Sequence, residues 1–271
     1  MKFRIPFVAK FVARPPRVSV IRLTGVIGGA GRVGSGLSDA GTAQLIERAF
    51  RRGKPLAVAL VINSPGGSPV QSSLIAARVR RLAAECKLPV HAFVEDVAAS
   101  GGYWLACAGD DIWADDSSIM GSIGVISAGF GFPEFLARHG IERRVHTAGG
   151  SKSFLDPFRP EKPEDVARLI ALQEPIHQAF IAQVKARRGA RLAEGADLFT
   201  GEVFVGQQAV AVGLADGIGH VVPKMKELYG DKVQLVLHEQ KRSFLRRIGV
   251  EAATQAMTAV EDRGHWARFG L

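Results

Sequence analysis

The run Leu56-Ala57-Val58-Ala59-Leu60-Val61-Ile62 restricts the fold more than any other stretch. It is continuously apolar, with no alternation, as in a strand covered on both faces inside a parallel sheet. Asn63-Ser64-Pro65-Gly66-Gly67-Ser68 follows directly, and then Val70, Leu74, Ile75, Val79 and Leu82 recur at helical spacing. Strand, glycine turn and helix in this order leave backbone N–H groups unpaired at the helix start, where they can face an oxyanion. The same turn also suits a phosphate loop or a plain βα connection. The Gly-Lys-Ser/Thr ending of a nucleotide loop does not follow it, which argues against a nucleotide.

The alternation repeats along the chain. Residues 18–25 read as a strand, and residues 39–52 as a helix with Leu45, Ile46, Ala49 and Phe50 on one side and Gly53 at its end. Between them, Gly28-Gly29-Ala30-Gly31 opens a loop to about residue 38 that does not fit a dinucleotide fingerprint. Strands are expected at 91–94, 111–114, 119–126 and 141–147, with short helices at 103–108 and 133–138. A long helix is expected at 163–188, with Val166, Leu169, Ile170, Ile176, Phe180, Ile181 and Val184 as its apolar face and a bend at Pro175. An extended piece at 200–204, helices at 207–212 and 223–229, and a strand at 233–237 complete the pattern. Repeated βα units imply right-handed crossovers and an α/β fold on a mainly parallel sheet.

Within this frame, Val97-Ala98-Ala99-Ser100-Gly101-Gly102-Tyr103-Trp104 places one hydroxyl among small residues, between a strand-like and a helix-like run. Such a serine is a nucleophile beside an anion site, or it belongs to a packing turn. Taken alone the packing turn is the commoner case. Lys152, in the glycine-rich loop 148–160, would by itself be a surface lysine, and Ser122, in Met120-Gly121-Ser122-Ile123-Gly124, a small residue in a tight segment.

At 271 residues and 47% hydrophobic content the chain can bury a substantial core. Its net charge of +9 suits an anionic surface, but the basic residues are spread out and no zinc-finger, RNP or basic-zipper pattern accompanies them. No nucleic-acid partner is therefore expected. Cys86 and Cys107 lack a CxxC spacing and read as core thiols of a reducing compartment. The histidines form no HExxH or His-x-His group, so neither a metal nor another cofactor is expected. No stretch approaches the roughly 20 apolar residues of a membrane span, and the charges within residues 1–16 interrupt any signal-peptide core. The expected location is cytoplasmic, peripheral to a bacterial inner membrane. A basic arm at 1–17 and a basic amphipathic tail at 241–260 are the candidate contacts.

Five motifs in one order, Asn63-Ser64-Pro65-Gly66-Gly67, Ala98-Ala99-Ser100-Gly101-Gly102-Tyr103, Gly121-Ser122-Ile123-Gly124-Val125, the Lys152 loop, and Thr200-Gly201 through Gly213-Leu214-Ala215-Asp216, resemble the signal peptide peptidase A (protease IV) family of serine peptidases. The resemblance covers about residues 18–219 and is closest to short bacterial members. It implies a crotonase-like fold, as in the Clp protease catalytic subunit, and a division into a basic arm (1–17), a peptidase domain (18–222) and a C-terminal strand and basic tail (223–271). It also implies Ser100 as nucleophile, Lys152 as general base, the N–H groups of Gly67 and Gly101 as oxyanion hole, and Ser122 as the residue orienting the lysine amine. Deprotonating a free lysine, pKa about 10.4, at pH 7 costs roughly 4.6 kcal/mol, so a lysine base needs desolvation. The family further implies apolar peptide substrates such as signal-peptide remnants, and ring-like homo-oligomers in which serine and lysine can come from neighbouring protomers. The sequence departs from it in Met120, where threonine is common, and in lacking the N-terminal anchor of many members. The rival readings are a crotonase-type acyl-CoA enzyme, which would want glutamates near the glycine turns, and a membrane-associated scaffold without catalysis.

Overall fold

The computed structural model describes residues 15–28, 36–150, 152–239 and 263–271. The basic arm up to residue 14, most of the glycine loop after Gly28 and the amphipathic tail at 241–260 lie outside the described residues. From the N-terminus, strand β1 (Arg17–Thr24) leads through helix α1 (Asp39–Arg51) to β2 (Ala57–Ser64), α2 (Pro69–Cys86), β3 (Val90–Ala99) and α3 (Gly101–Ala106). Two short strands follow, β4 (Asp111–Ala114) and β5 (Ile119–Gly121), then α4 (Pro133–Arg138) and the long α5 (Pro163–Arg188). Then come β6 (Val203–Val205), α6 (Gln207–Ala211), β7 (Gly217–Ile218), α7 (Val221–Tyr229) and β8 (Gln234–His238).

These strands form one sheet in the order β6-β5-β3-β2-β1-β8, with β4 and then β7 beside β3. All pairings are parallel except β5 with β6. The fold is thus α/β on a mainly parallel sheet, as the repeated βα pattern requires. β3 is the axis of the arrangement. Its first half, His91 to Phe93, pairs with β4, and its second half, Val97 to Ala99, pairs with β5.

Capping chemistry starts the two helices on one face. The Ser38 side chain accepts from the Gly41 N–H ahead of α1, and the Ser68 side chain accepts from the Gln71 N–H ahead of α2, with Pro69 in the first helical position. On this face Leu45, Ile46 and Phe50 of α1 and Ile75, Val79 and Leu82 of α2 bury against Ile21, Leu23, Leu60 and Ile62. On the other face Met225 of α7 seals Val18, Val20, Ala57, Ala59, Val61 and Phe93. β2 is therefore covered on both sides from Ala57 to Ile62, while Leu56 lies outside the strand and is exposed.

Four expectations are corrected. Residues 141–147 form no strand; they are exposed and pair with no strand among the described residues, and without a ladder partner an extended run is not a strand. The strand expected at 119–126 stops at Gly121, because Gly121 (φ 102°) and Ser122 (φ 51°) turn the backbone out of the extended region. β3 runs on past residue 94 to Ala99, through Glu95 and Asp96. The long helix has its expected span, with Pro175 inside it, but only its second half packs: Phe180 and Val184 are buried, whereas Ile170 and Ile176 are exposed.

Candidate active site

The site lies where β3 turns into α3. Ser100 is the N-cap residue of α3 with φ 51° and ψ −123°, a backbone region nearly reserved for glycine. The strain is held by the surrounding hydrogen bonds. Its N–H donates to the Gly121 carbonyl (2.8 Å), and its carbonyl accepts from the N–H groups of Tyr103 (2.9 Å) and Trp104 (3.1 Å). The hydroxyl makes no capping bond to the helix. An N-cap serine normally spends its hydroxyl on the helix start, so this one is left for other chemistry.

The turn after β2 is pressed against this serine. A side chain at Gly66 would begin 2.8 Å from Ser100 Cβ and 2.8 Å from the Ala99 carbonyl oxygen, and one at Gly67 (φ 137°) would begin 2.1 Å from the Ile27 carbonyl oxygen. Only glycine allows that approach. Ile27 forms a parallel bridge to Gly67, its N–H donating to Gly66 O and its carbonyl accepting from Ser68 N–H, each at 2.8 Å. In a parallel bridge the central residue's own N–H faces away from its partner, so the Gly67 N–H is turned from Ile27. A first carbon on Gly101 would stand 3.5 Å from the Gly67 nitrogen, which brings together the two glycines expected to form the oxyanion hole. The Gly101 N–H, first in α3, has no carbonyl behind it in the helix.

Side chains that sequence reasoning passed over hold this geometry. Ser64 Oγ donates to the Gly25 carbonyl (2.7 Å) and accepts from the Gly66 N–H (3.2 Å), tying the glycine turn to the end of β1. The buried Ser118 hydroxyl donates to the Glu95 carbonyl, and Asn63 spans from β2 to β3. The signal for Asn63 was its place at the head of the glycine turn, but nothing in the sequence said which backbone group it would meet. From the other side, the Trp104 ring stacks on Phe180 at 4.9 Å, the Tyr103 hydroxyl donates to the Leu214 carbonyl (2.9 Å), and His177 Nε2 lies 3.1 Å from the Ile123 carbonyl oxygen.

Ser122 follows the carbonyl that receives the Ser100 N–H, and its own N–H donates to the Glu202 carbonyl (2.7 Å). Lys152 does not join this group by any hydrogen bond or ion pair among the described residues. It is exposed in a turn, its N–H donating to the Gly149 carbonyl (3.2 Å). The surrounding segment is fastened by few bonds, such as Phe132 N–H to the Pro157 carbonyl (2.7 Å) and Arg143 to Asp156 (3.3 Å). It presents Ile126, Phe130, Phe135 and Ile141 to solvent, Phe130 at 83% exposure.

Beneath the serine turn the environment is apolar. Burial pushes the Tyr103 hydroxyl well above its ordinary pKa and the Cys107 thiol up to about 12, so both stay protonated and act as packing groups. Among the described residues no group of three or more His, Cys, Asp or Glu is placed to hold a metal ion, and no helix is long and apolar enough to cross a membrane.

The model of peptidase family S49 matches residues 83–234, more than half of the chain, spanning Ser100, Gly101, Ser122 and Lys152. The chain belongs to this family. A protein named as a putative protease in Synechocystis is 30% identical, over 78% of this chain and 79% of its own. A chloroplastic serine protease of Arabidopsis thaliana is 33% identical over 75% of this chain, which covers 30% of that protein. A Brucella melitensis protein named Na(+)/H(+) antiporter NhaA is 48% identical over 97% of this chain, which spans only 38% of that relative's length. Among solved structures, a membrane-bound stomatin-specific protease in complex with a substrate peptide aligns with 91% of this chain and 99% of its own, at 15% identity and a TM-score of 0.49.

Proposed function

We propose that this S49 chain is a serine endopeptidase that cleaves apolar peptides, signal-peptide remnants among them, with Ser100 as nucleophile and Lys152 as general base. The observation that carries the reading is the strained Ser100 turn, with its hydroxyl free of the helix cap and the Gly67 and Gly101 N–H groups beside it. Attack of Ser100 Oγ on a peptide carbonyl would develop negative charge on the carbonyl oxygen. Two fixed N–H groups that stabilise this charge in the tetrahedral intermediate more than in the bound peptide lower the barrier selectively. The Lys152 amine takes the serine proton and returns it to the leaving amine, with the Ser122 hydroxyl orienting it.

Within one chain Lys152 is exposed on a turn and, among the described residues, makes no hydrogen bond to the Ser100 turn. The exposed apolar segment around it supports an assembly of several copies. Burying Ile126, Phe130 and Phe135 against a neighbour would dry the loop that carries Lys152 and bring it to a serine. The long Brucella relative, which bears a membrane antiporter's name, supports placing this peptidase at a membrane surface.

The test is labelling with a fluorophosphonate probe, followed by peptide mapping. Ser100 is expected to take the label in the native protein, with Ser100→Ala and Lys152→Ala each abolishing cleavage of an apolar peptide. Undiminished labelling of Ser100→Ala would sink the assignment.

A further inference from the structure

Between β2 and β3 the ladder skips. Ile62 pairs with Val94 and the next rung joins Ser64 to Ala98, so β2 advances by one residue, Asn63, that has no partner in β3, while β3 advances by Glu95, Asp96 and Val97. A bulge of this kind re-aims a strand and is over-represented beside functional sites. Before the bulge β3 pairs with β4 and beyond it with β5, whose Gly121 carbonyl receives the Ser100 N–H.

A skipped rung leaves backbone groups without ladder partners inside a sheet. The Asn63 carboxamide fills the gap. Its Oδ1 accepts from the Val97 N–H (3.3 Å), and its Nδ2 donates to the Asp96 carboxylate. One planar side chain thereby joins the residue that opens the Gly66–Gly67 turn to the bulge that sets the Ser100 turn. The neighbouring charges are accounted for by each other, since Arg22 of β1 pairs with Glu95 at 2.9 Å.

We infer that Asn63 and Asp96 are positioning residues of the reaction: their side-chain pair fixes the spacing between the glycine turn that offers the Gly67 N–H and the turn that offers Ser100. The inference rests on the serine-peptidase reading. Neither residue touches the substrate carbonyl. Their effect is on where the nucleophile and the oxyanion donors stand, and a displacement of about 1 Å in such a site lowers turnover about 100-fold.

The polarity of the pair makes it testable by exchange. Asn63→Asp keeps the acceptor for Val97 but sets two carboxylates against each other. Asp96→Asn keeps an acceptor for the Asn63 amide. The double variant Asn63→Asp/Asp96→Asn rebuilds the bond with donor and acceptor interchanged. Expected for peptide cleavage is a kcat about 30- to 100-fold lower in Asn63→Asp with KM within about threefold of the parent. Asp96→Asn should be near the parent, and the double variant within about threefold of it. Asp96→Ala, a change at an exposed position, removes the partner without adding a charge and is expected to lower kcat about tenfold, which provides a readout even where Asn63→Asp fails to fold. Parent-like kcat in Asp96→Ala, or a double variant no better than Asn63→Asp, overturns the inference. A parent protein that does not take the fluorophosphonate at Ser100 defeats the serine reading itself, whereas a labelled parent with unaffected variants defeats only the positioning role.

Discussion

Replacing Ser100 by glycine, compared with replacing it by alanine, isolates the energy stored in the Ser100 backbone. At φ 51° and ψ −123° a residue with a Cβ is strained by about 1–3 kcal/mol, and glycine is not. Against this relief stand the extra conformational freedom of glycine in the unfolded chain, about 0.5–1 kcal/mol, and the loss of one half-buried methyl, under about 0.8 kcal/mol. The balance favours Ser100→Gly over Ser100→Ala by about 1 kcal/mol, which for a domain of this size raises Tm by about 2–4 °C. Both variants lack the Ser100 hydroxyl, the proposed nucleophile, so the proposed activity cannot distort the comparison. Calorimetry at pH 7 on the two proteins measures it. A Ser100→Gly protein that melts at or below Ser100→Ala would refute the claim that strain is held at this turn.

Three further outcomes are expected. Mixing inactive Ser100→Ala with inactive Lys152→Ala chains should restore about a quarter or more of the parent peptidase activity if serine and lysine meet across protomers, and no recovery places both in one chain. Hydrogen bonds from the Arg78 guanidinium, at 2.7 Å to each oxygen, hold the Asp39 carboxyl below its usual range. That contribution is present above the unfolded aspartate pKa of about 3.9 and is lost as pH falls through the lower folded value, so Arg78→Met should cost about 1 kcal/mol at pH 6 and progressively less below about pH 4, read by urea unfolding. A thiol reagent at pH 8 should modify half-buried Cys86 and spare Cys107, whose thiol is raised to about 12, until the protein unfolds.

The regular elements were legible because each carries its own period or cap. The span of α5 and that of β4 agree with the sequence reading to the residue, since Pro163 opens the one and Gly109 precedes the other. The second half of β3 was not legible: Glu95 and Asp96 look like the end of a strand, and only the Asn63 and Ser118 side chains, from other strands and loops, make them a bulge within one. The strand expected at 141–147 has the right residues and no ladder partner among the described residues. At the site, the glycines after β2 and after Ser100 were readable from type alone, since close backbone approach excludes other side chains. The backbone angle of Ser100 was not, because it is imposed by Gly121, which lies a whole helix and strand further along the chain. Nor could residue spacing reveal that Lys152 is exposed, on a segment whose apolar side chains find no cover among the described residues.

The split pairing of β3 also sets an order of events during synthesis. β5 is three residues long and is flanked by β3 on one side and by β6, at Val203–Val205, on the other. Until residue 205 has left the ribosome, the Gly121 carbonyl that bends Ser100 into place has support from one side only, and so short a strand is not held by one neighbour. A nascent chain therefore carries Ser100, its glycine turn and Lys152 together from residue 152 to residue 205 before the Ser100 turn is braced from both sides. The serine turn is thus completed late, by a strand more than a hundred residues downstream of Ser100.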